Sequence, residues 1–174
     1  NKSMYTHDVS GTDSTAAGNT AFGFTSMDAI TTGDDNTAMG ENAMGGLQDG
    51  VENVAIGKNS MLAATSASQN TCVGLNSGAA LSSGSGYNVL LGHGAGAAMT
   101  SGNRNIAIGV SSMDGFDTET HNLGIGISAL GGSVAGGEYN VAIGNYALSS
   151  LTSSDANVAV GYEAGKAITG GGDG

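Results

Sequence analysis

Residues 53–62 read NVAIGKNSML, and residues 36–44, one period earlier, read NTAMGENAM. The frame returns as NIAIGVSSM at 105–113 and as YNVAIGNYAL at 139–148. Each copy holds an Asn followed four residues later by a Gly: Asn19/Gly23, Asn36/Gly40, Asn53/Gly57, Asn70/Gly74, Asn88/Gly92, Asn105/Gly109, Asn122/Gly126, Asn140/Gly144 and Asn157/Gly161. Successive Asn residues lie 17 apart, with steps of 18 before Asn88 and before Asn140. A short fixed period marks a solenoid, because one such unit cannot bury its apolar residues alone while stacked units share a continuous core.

With Asn as repeat position 1, the columns take on physical meanings. Position 2 is Thr or an apolar aliphatic (Thr37, Val54, Ile106, Val141), and position 4 is always large and apolar, from Phe22 and Met39 to Ile143 and Val160. Position 3 is small in Ala21, Ala38, Ala55, Cys72, Ala107, Gly124, Ala142 and Ala159, with Leu90 the exception. Branched residues alternating with small ones over five positions predict a short strand with two different faces. Farther along, position 8 is Ala or Ser, position 9 is Met, Leu or Gly, and position 12 is usually large, as in Ile30, Leu47, Phe116 and Leu151. That spacing favours a helical turn over a second short strand. Positions 13–17 are polar and variable, and the 18-residue copies carry their extra residue there, in Ser82–Tyr87 and Val134–Tyr139, as insertions into exposed connections should.

The expected fold is therefore a β-solenoid, a parallel β-roll or β-helix of nine 17–18-residue coils, each a short strand plus a helical turn or a second short strand. At a strand spacing near 4.8 Å the stack is a rod of about 45 Å. Residues 1–18 are expected to form a degenerate N-terminal cap or linker, residues 19–169 the solenoid, and residues 170–174 a flexible Gly-rich end. The position-1 asparagines are expected to stack into a ladder across coils, and the position-5 glycines to turn the chain at positive φ. Positions 3 and 5 point away from the branched residues. This leaves two readings of the face formed by Ala21, Ala38, Ala55, Cys72, Ala107, Ala142 and Ala159: small residues suited to a tight interior, or a flat face on which identical chains pack.

Composition agrees with a narrow core rather than a wide one. Glycine occupies 32 of the 174 positions, Pro and Trp are absent, and aromatics make up 5%. The net charge of −11, with only Lys2, Lys58, Arg104 and Lys166 as basic residues, argues against binding nucleic acid or anionic lipid. A single cysteine excludes an internal disulfide framework. No apolar run approaches the ~20 residues of a membrane helix, and no secretory leader is read at the start.

The candidates for chemistry are sparse, and the expectation is of a chain that is not an enzyme and holds no cofactor or metal. The Φ-G-x-x-[AS] segments also match the hexapeptide repeat of acyltransferases, but position 10 (Asp28, Gly45, Leu62, Ala79, Asp114, Lys166) supplies no second hexapeptide in register. His7, His93 and His121 fall at unrelated repeat positions, whereas zinc needs converging ligands. Loop acids (Asp34, Asp35, Asp49, Glu52, Asp117, Glu119, Glu138, Asp155) could hold Ca²⁺ across coils, yet no acid recurs at one position. Cys72 reads as an inert filler, and Met27, Met44, Met61 and Met113 as core. A flat face with Thr rows could bind ice, but only Thr20, Thr37 and Thr71 occupy position 2.

The quoted units resemble the N-[TV]-A-Φ-G-x-x-A-[LM] repeats of phage tail fibre and related tail-spike-type proteins. Their NVAIG core is also similar to repeats in the head domains of trimeric autotransporter adhesins, which form left-handed parallel β-rolls in homotrimers. The resemblance covers residues 19 to about 168. It implies an extracellular or virion-surface structural fibre segment, homo-oligomeric with a trimer favoured, that spaces or presents a surface for a cell-surface receptor or glycan. Receptor contacts are then expected in the loops and at positions 6 and 7, for example Phe24, Lys58, His93, Tyr146 and Tyr162. A subunit of a self-assembling extracellular filament is the alternative closest to this reading, ahead of ice binding and of acyl transfer.

Overall fold

The computed structural model describes residues 4–5, 16–132 and 136–170. Nine three-residue strands stack in chain order into one all-parallel sheet: β2 (Thr20–Phe22), β3 (Thr37–Met39), β4 (Val54–Ile56), β5 (Thr71–Val73), β6 (Val89–Leu91), β7 (Ile106–Ile108), β8 (Leu123–Ile125), β9 (Val141–Ile143) and β10 (Val158–Val160). A two-residue strand, β1 (Met4–Tyr5), pairs with Thr20 and Ala21, so part of the segment expected to cap the rod adds to its sheet. The rest of that segment, with His7, and residues 171–174 lie outside the described residues. Pairing is strictly in register, Val54 on Thr71 and Ile56 on Val73 for example, so each repeat column becomes a physical row along the solenoid.

The asparagine ladder sets this register. Each position-1 Asn is buried from Asn19 to Asn140, and its Oδ1 accepts the backbone N–H of the next coil's Asn at 2.9–3.1 Å along the whole stack. The Nδ2 of the same residue donates to a carbonyl near the end of its own coil, Asn53 to Ala67 at 2.7 Å and Asn105 to Glu119 at 2.7 Å. One amide thus closes its coil and fastens it to the next, which satisfies a polar group that would otherwise be costly to bury. Where position 8 is Ser, the hydroxyl does similar work: Ser77 donates to the Leu90 carbonyl at 2.7 Å and Ser112 to that of Gly124 at 3.0 Å.

The second half of each coil is neither the expected helical turn nor a second strand; among the described residues there is no helix. Left-handed residues recur instead at positions 7 and 9, such as Asn59 (φ 57°) and Met61 (φ 52°). The reason lies in the hydrogen bonds. Asn59 N–H donates back to Glu41 of the preceding coil at 2.9 Å, and Met61 N–H donates forward to Ser77 of the following coil at 3.0 Å. Alternating backbone conformations aim every other N–H group down or up the stack, with Ser60 N–H between them bonding to Gly57 of its own coil, whereas a helix would turn them all along its own axis. A second ladder exists only as isolated parallel bridges, Ser68 to Gly86, Gly86 to Asn103 and Asn103 to Thr120, just before the position-1 asparagines.

The strand polarity corrects one of the two readings left open. The alanine column is the interior: Ala21, Ala55, Cys72, Ala107 and Ala142 are fully buried, and Ala38 and Ala159 nearly so, within a single chain. It cannot be a face on which copies pack. Its residues are small because their Cβ atoms share a thin core with Met27, Met44, Met61, Met113, Leu130 and Leu148 of position 9 and with the large residues of position 12. Leu90 confirms this volume balance. Position 9 is glycine in its own coil and in the preceding one, and a Cβ on Gly96 or Gly78 would come within 2.9 or 3.0 Å of Leu90 Cδ1.

The position-5 glycines hold positive φ as expected, but they do not make the turn by themselves. Gly23, Gly40, Gly57, Gly74, Gly92, Gly109, Gly126, Gly144 and Gly161 lie at φ 126–142°, far wider than the left-handed turn value. Each bends the chain out of its strand and accepts the N–H three residues on: Ala43 donates to Gly40 at 3.2 Å, Ala95 to Gly92 at 3.3 Å, Ser112 to Gly109 at 3.4 Å and Ala129 to Gly126 at 3.3 Å. The left-handed residues at positions 7 and 9 complete the reversal. From Gly23 to Gly144 a Cβ would sit 2.3–2.7 Å from the carbonyl of the next coil's glycine, so neither the dihedral nor the stacking distance admits a side chain. Gly161 departs from this rule. No further coil stacks on it among the described residues, and its Cβ would meet only Ala164 Cβ at 3.9 Å, so there the dihedral alone (φ 129°) opposes a side chain.

Candidate functional site

With position 3 turned inward, positions 2 and 4 point outward. They carry Thr20, Phe22, Thr37, Met39, Val54, Ile56, Thr71, Val73, Val89, Leu91, Ile106, Ile108, Leu123, Ile125, Val141, Ile143, Val158 and Val160. Not one is charged, on a chain whose net charge is −11. All are exposed or half-buried, none buried. Three residues by nine strands give a planar footprint of about 400 Å², within the range of the largest apolar patch on a monomer and large enough to mark an interaction surface. Position 6 extends it around the corner with exposed Phe24, Leu75, Val110, Ile127 and Tyr162. The Thr row at position 2 is broken by Val54 and ends at Thr71, and the unequal lengths of Phe22, Met39 and Val73 make the face uneven at atomic scale.

The positions expected to meet a receptor are on the surface: Phe24, Lys58, His93, Tyr146 and Tyr162 stand at the corner beside that face. At one end Tyr146 and Tyr162 meet edge to face at 6.2 Å, and Lys166 lies 5.6 Å from the Tyr146 ring centroid while pairing with Glu163 at 2.7 Å. That hydrogen bond holds the Glu163 carboxyl below its ordinary range and raises the Lys166 ammonium, and the neighbouring Glu163 raises the Tyr162 phenol. Lys58 pairs with Glu41 of the preceding coil at 2.9 Å.

The polar chemistry elsewhere is structural. The buried asparagines spend their amides on the ladder, and the glycines at the strand ends, Gly40, Gly92, Gly109, Gly126 and Gly161 among them, bring no functional group to the surface. Burial pushes the Cys72 thiol far above its ordinary range, offset only partly by its hydrogen bond with Ser77. Among the described residues no three His, Cys, Asp or Glu side chains converge where a cation could sit. Several loop acids instead accept backbone N–H groups of neighbouring coils: Asp34 from Ala17 and Asp155 from Glu138, both at 2.7 Å. Glu119 is buried where other coils have Gly, Ala or Ser. Its carboxylate accepts Asp117 N–H at 2.8 Å, Thr118 N–H at 3.0 Å and Gly136 N–H at 2.9 Å, anchoring the second 18-residue connection. No cavity opens among the described residues.

A feature that repeat reasoning passed over lies at the last residue of each coil. In four successive coils this position holds Tyr87, Arg104, His121 and Tyr139, all exposed or half-buried. The Arg104 guanidinium carbon lies 5.3 Å from the Tyr87 ring centroid, and the His121 and Tyr139 rings stack at 4.9 Å and 19°. The sequence carries a signal for it: both enlarged connections end in G-x-x-Y-N, as GSGYN at 84–88 and as GGEYN at 136–140. Comparisons with protein-family models, with curated proteins and with solved structures found no match to this chain.

Proposed function

We propose that the chain is a structural, adhesive fibre segment, of the kind found in phage tail fibres or bacterial surface adhesins, that spaces or presents a receptor-binding surface outside the cell or on a virion. The observation carrying this reading is the uncharged apolar sheet face running the length of an otherwise acidic rod. Water exposure of so much apolar surface is unfavourable by roughly 25 cal/mol per Å², and copies of the same chain offer a matching repeat of about 4.8 Å along the whole length. Because position 6 adds exposed apolar side chains around the corner at five of nine coils, with Glu41, Lys58, His93 and Asn145 between them, each chain has a second, mixed wall beside the apolar one. That arrangement suits a cyclic trimer, in which every copy meets two neighbours. The repeat motif's resemblance to tail-fibre and adhesin-head sequences supports the same assignment.

Light scattering coupled to size exclusion tests it. The expected mass is three times the 16.8 kDa chain, and a monomer at micromolar concentration would contradict the reading. A filament subunit is the second reading, since a strictly in-register parallel stack offers the same pairing pattern to another copy of the chain end to end. An open-ended distribution of masses would select it.

A further inference from the structure

We propose that the row Tyr87, Arg104, His121 and Tyr139 is a binding site for an acidic oligosaccharide carrying a single carboxylate. Three observations converge on this row. First, the only two 18-residue steps of the repeat both place a tyrosine at the end of their enlarged connection, and these tyrosines bracket Arg104 and His121. A Cβ on Gly84 or Gly136, within those connections, would meet nothing within 4 Å, so the chain surface is open at both points. Local insertions on one side of a solenoid are where such proteins build recognition. Second, the last residue of each coil is left-handed, φ 56–61° from Asp35 to Ala156, and in these four coils that turn carries Tyr, Arg, His and Tyr on the surface. They gain little burial, for Tyr87 is 56% exposed and Tyr139 57%. Large side chains that bury so little are free to meet a ligand.

Third, Arg104 rests on the Tyr87 ring but keeps its N–H donors available. Lys58 and Lys166 pair with Glu41 and Glu163, but among the described residues no side chain or carbonyl accepts a hydrogen bond from the Arg104 guanidinium. The nearby acids are engaged elsewhere: Glu119 binds backbone N–H groups, and Glu138 accepts the Thr120 hydroxyl at 3.1 Å. A free guanidinium is built to grip a carboxylate through two parallel N–H donors.

The rings set the rest of the ligand. Tyr87 to Tyr139 is three coil steps, about 14 Å, the span of roughly three pyranose rings. Tyrosine offers apolar ring surface with a polar tip, which suits the C–H faces and hydroxyls of a sugar. A polyanion is disfavoured by a net charge of −11, so the ligand carries one acidic group opposite Arg104 rather than a run of them. The inference gives the proposed fibre a ligand class, and it rests on that reading for its setting.

The test titrates the intact chain with a trisaccharide containing one central hexuronic acid and with its all-neutral counterpart, by calorimetry and saturation-transfer NMR. The acidic sugar is expected to bind at least tenfold tighter. Arg104→Gln should abolish that preference, and Tyr139→Ala should weaken both sugars. Arg104→Lys, which keeps the charge but loses the paired donors, should fall between. Binding of neither sugar, binding indifferent to these substitutions, or equal binding of an acidic peptide would overturn the site. Molar mass measured on the same samples separates the two claims: lost binding with an intact oligomer sinks this site alone, and binding by a monomer sinks the fibre reading alone.

Discussion

Each strand of this rod has an inner and an outer side built from opposite rules. In β4, Ala55 is sealed inside while Val54 and Ile56 on either side of it meet the surroundings. The inner side is small and polar where it needs to be, because its partners are the asparagine ladder and a thin layer of Met and Leu. The outer side is mostly large and apolar with nothing among the described residues covering it. Within the strands, then, size does not mark the core; the inner side is marked by residues that cannot be enlarged or left unpaired. In the strands, apolar bulk marks what the rod offers outward.

Breaking the inner side should cost most. Gly57→Ala places a Cβ 2.6 Å from the Gly74 carbonyl oxygen at φ 126°, and denaturant melts should show a loss of about 3–5 kcal/mol. The same change at Gly161, where no further coil stacks among the described residues, meets only the dihedral penalty and should cost about 1–2 kcal/mol. Asn53→Ala falls between the two. It removes the acceptor 3.0 Å from Asn70 N–H and the donor 2.7 Å from the Ala67 carbonyl, leaving buried groups unpaired at a cost of about 2–4 kcal/mol. On the outer side, Ile56→Asp with Val141→Asp should change the stability of the isolated chain by less than about 1 kcal/mol while reducing its light-scattering mass to that of a monomer. The smallest effect sharpens the boundary between the sides. Cys72 sits in the inner column with its thiol pushed up by burial, so it should stay unlabelled by a disulfide reagent until the chain is unfolded; labelling at the rate of an exposed thiol would place that column outside.

Much of this was legible in the sequence. The period, the asparagine register and the glycines at position 5 each depend on a residue type that only one geometry tolerates, so nine repetitions define the stack. The direction of the strand was not legible, because alternation of large and small says that two faces differ without saying which is wet. Leu90 held the clue, since a large residue in the small column is balanced by Gly78 and Gly96 rather than by open space. The helical turn failed for a related reason: spacing of Met61 and Ala64 on one side fits several backbones, and the demand of neighbouring coils for N–H donors selects left-handed turns. The Tyr87–Tyr139 row was visible only as a departure from the period, which column averaging removes.

The polarity of the strand and the use of its outer side can be read together by cysteine cross-linking in a Cys72→Ala background. Ile108→Cys lies on the outer face and Ala107→Cys, its neighbour in β7, in the interior. Copies packed side by side bring equal heights of the rod together, so mild oxidation should link chains through Cys at 108 and leave the 107 variant unlinked. Linkage at 107 with none at 108 would contradict the account at its base.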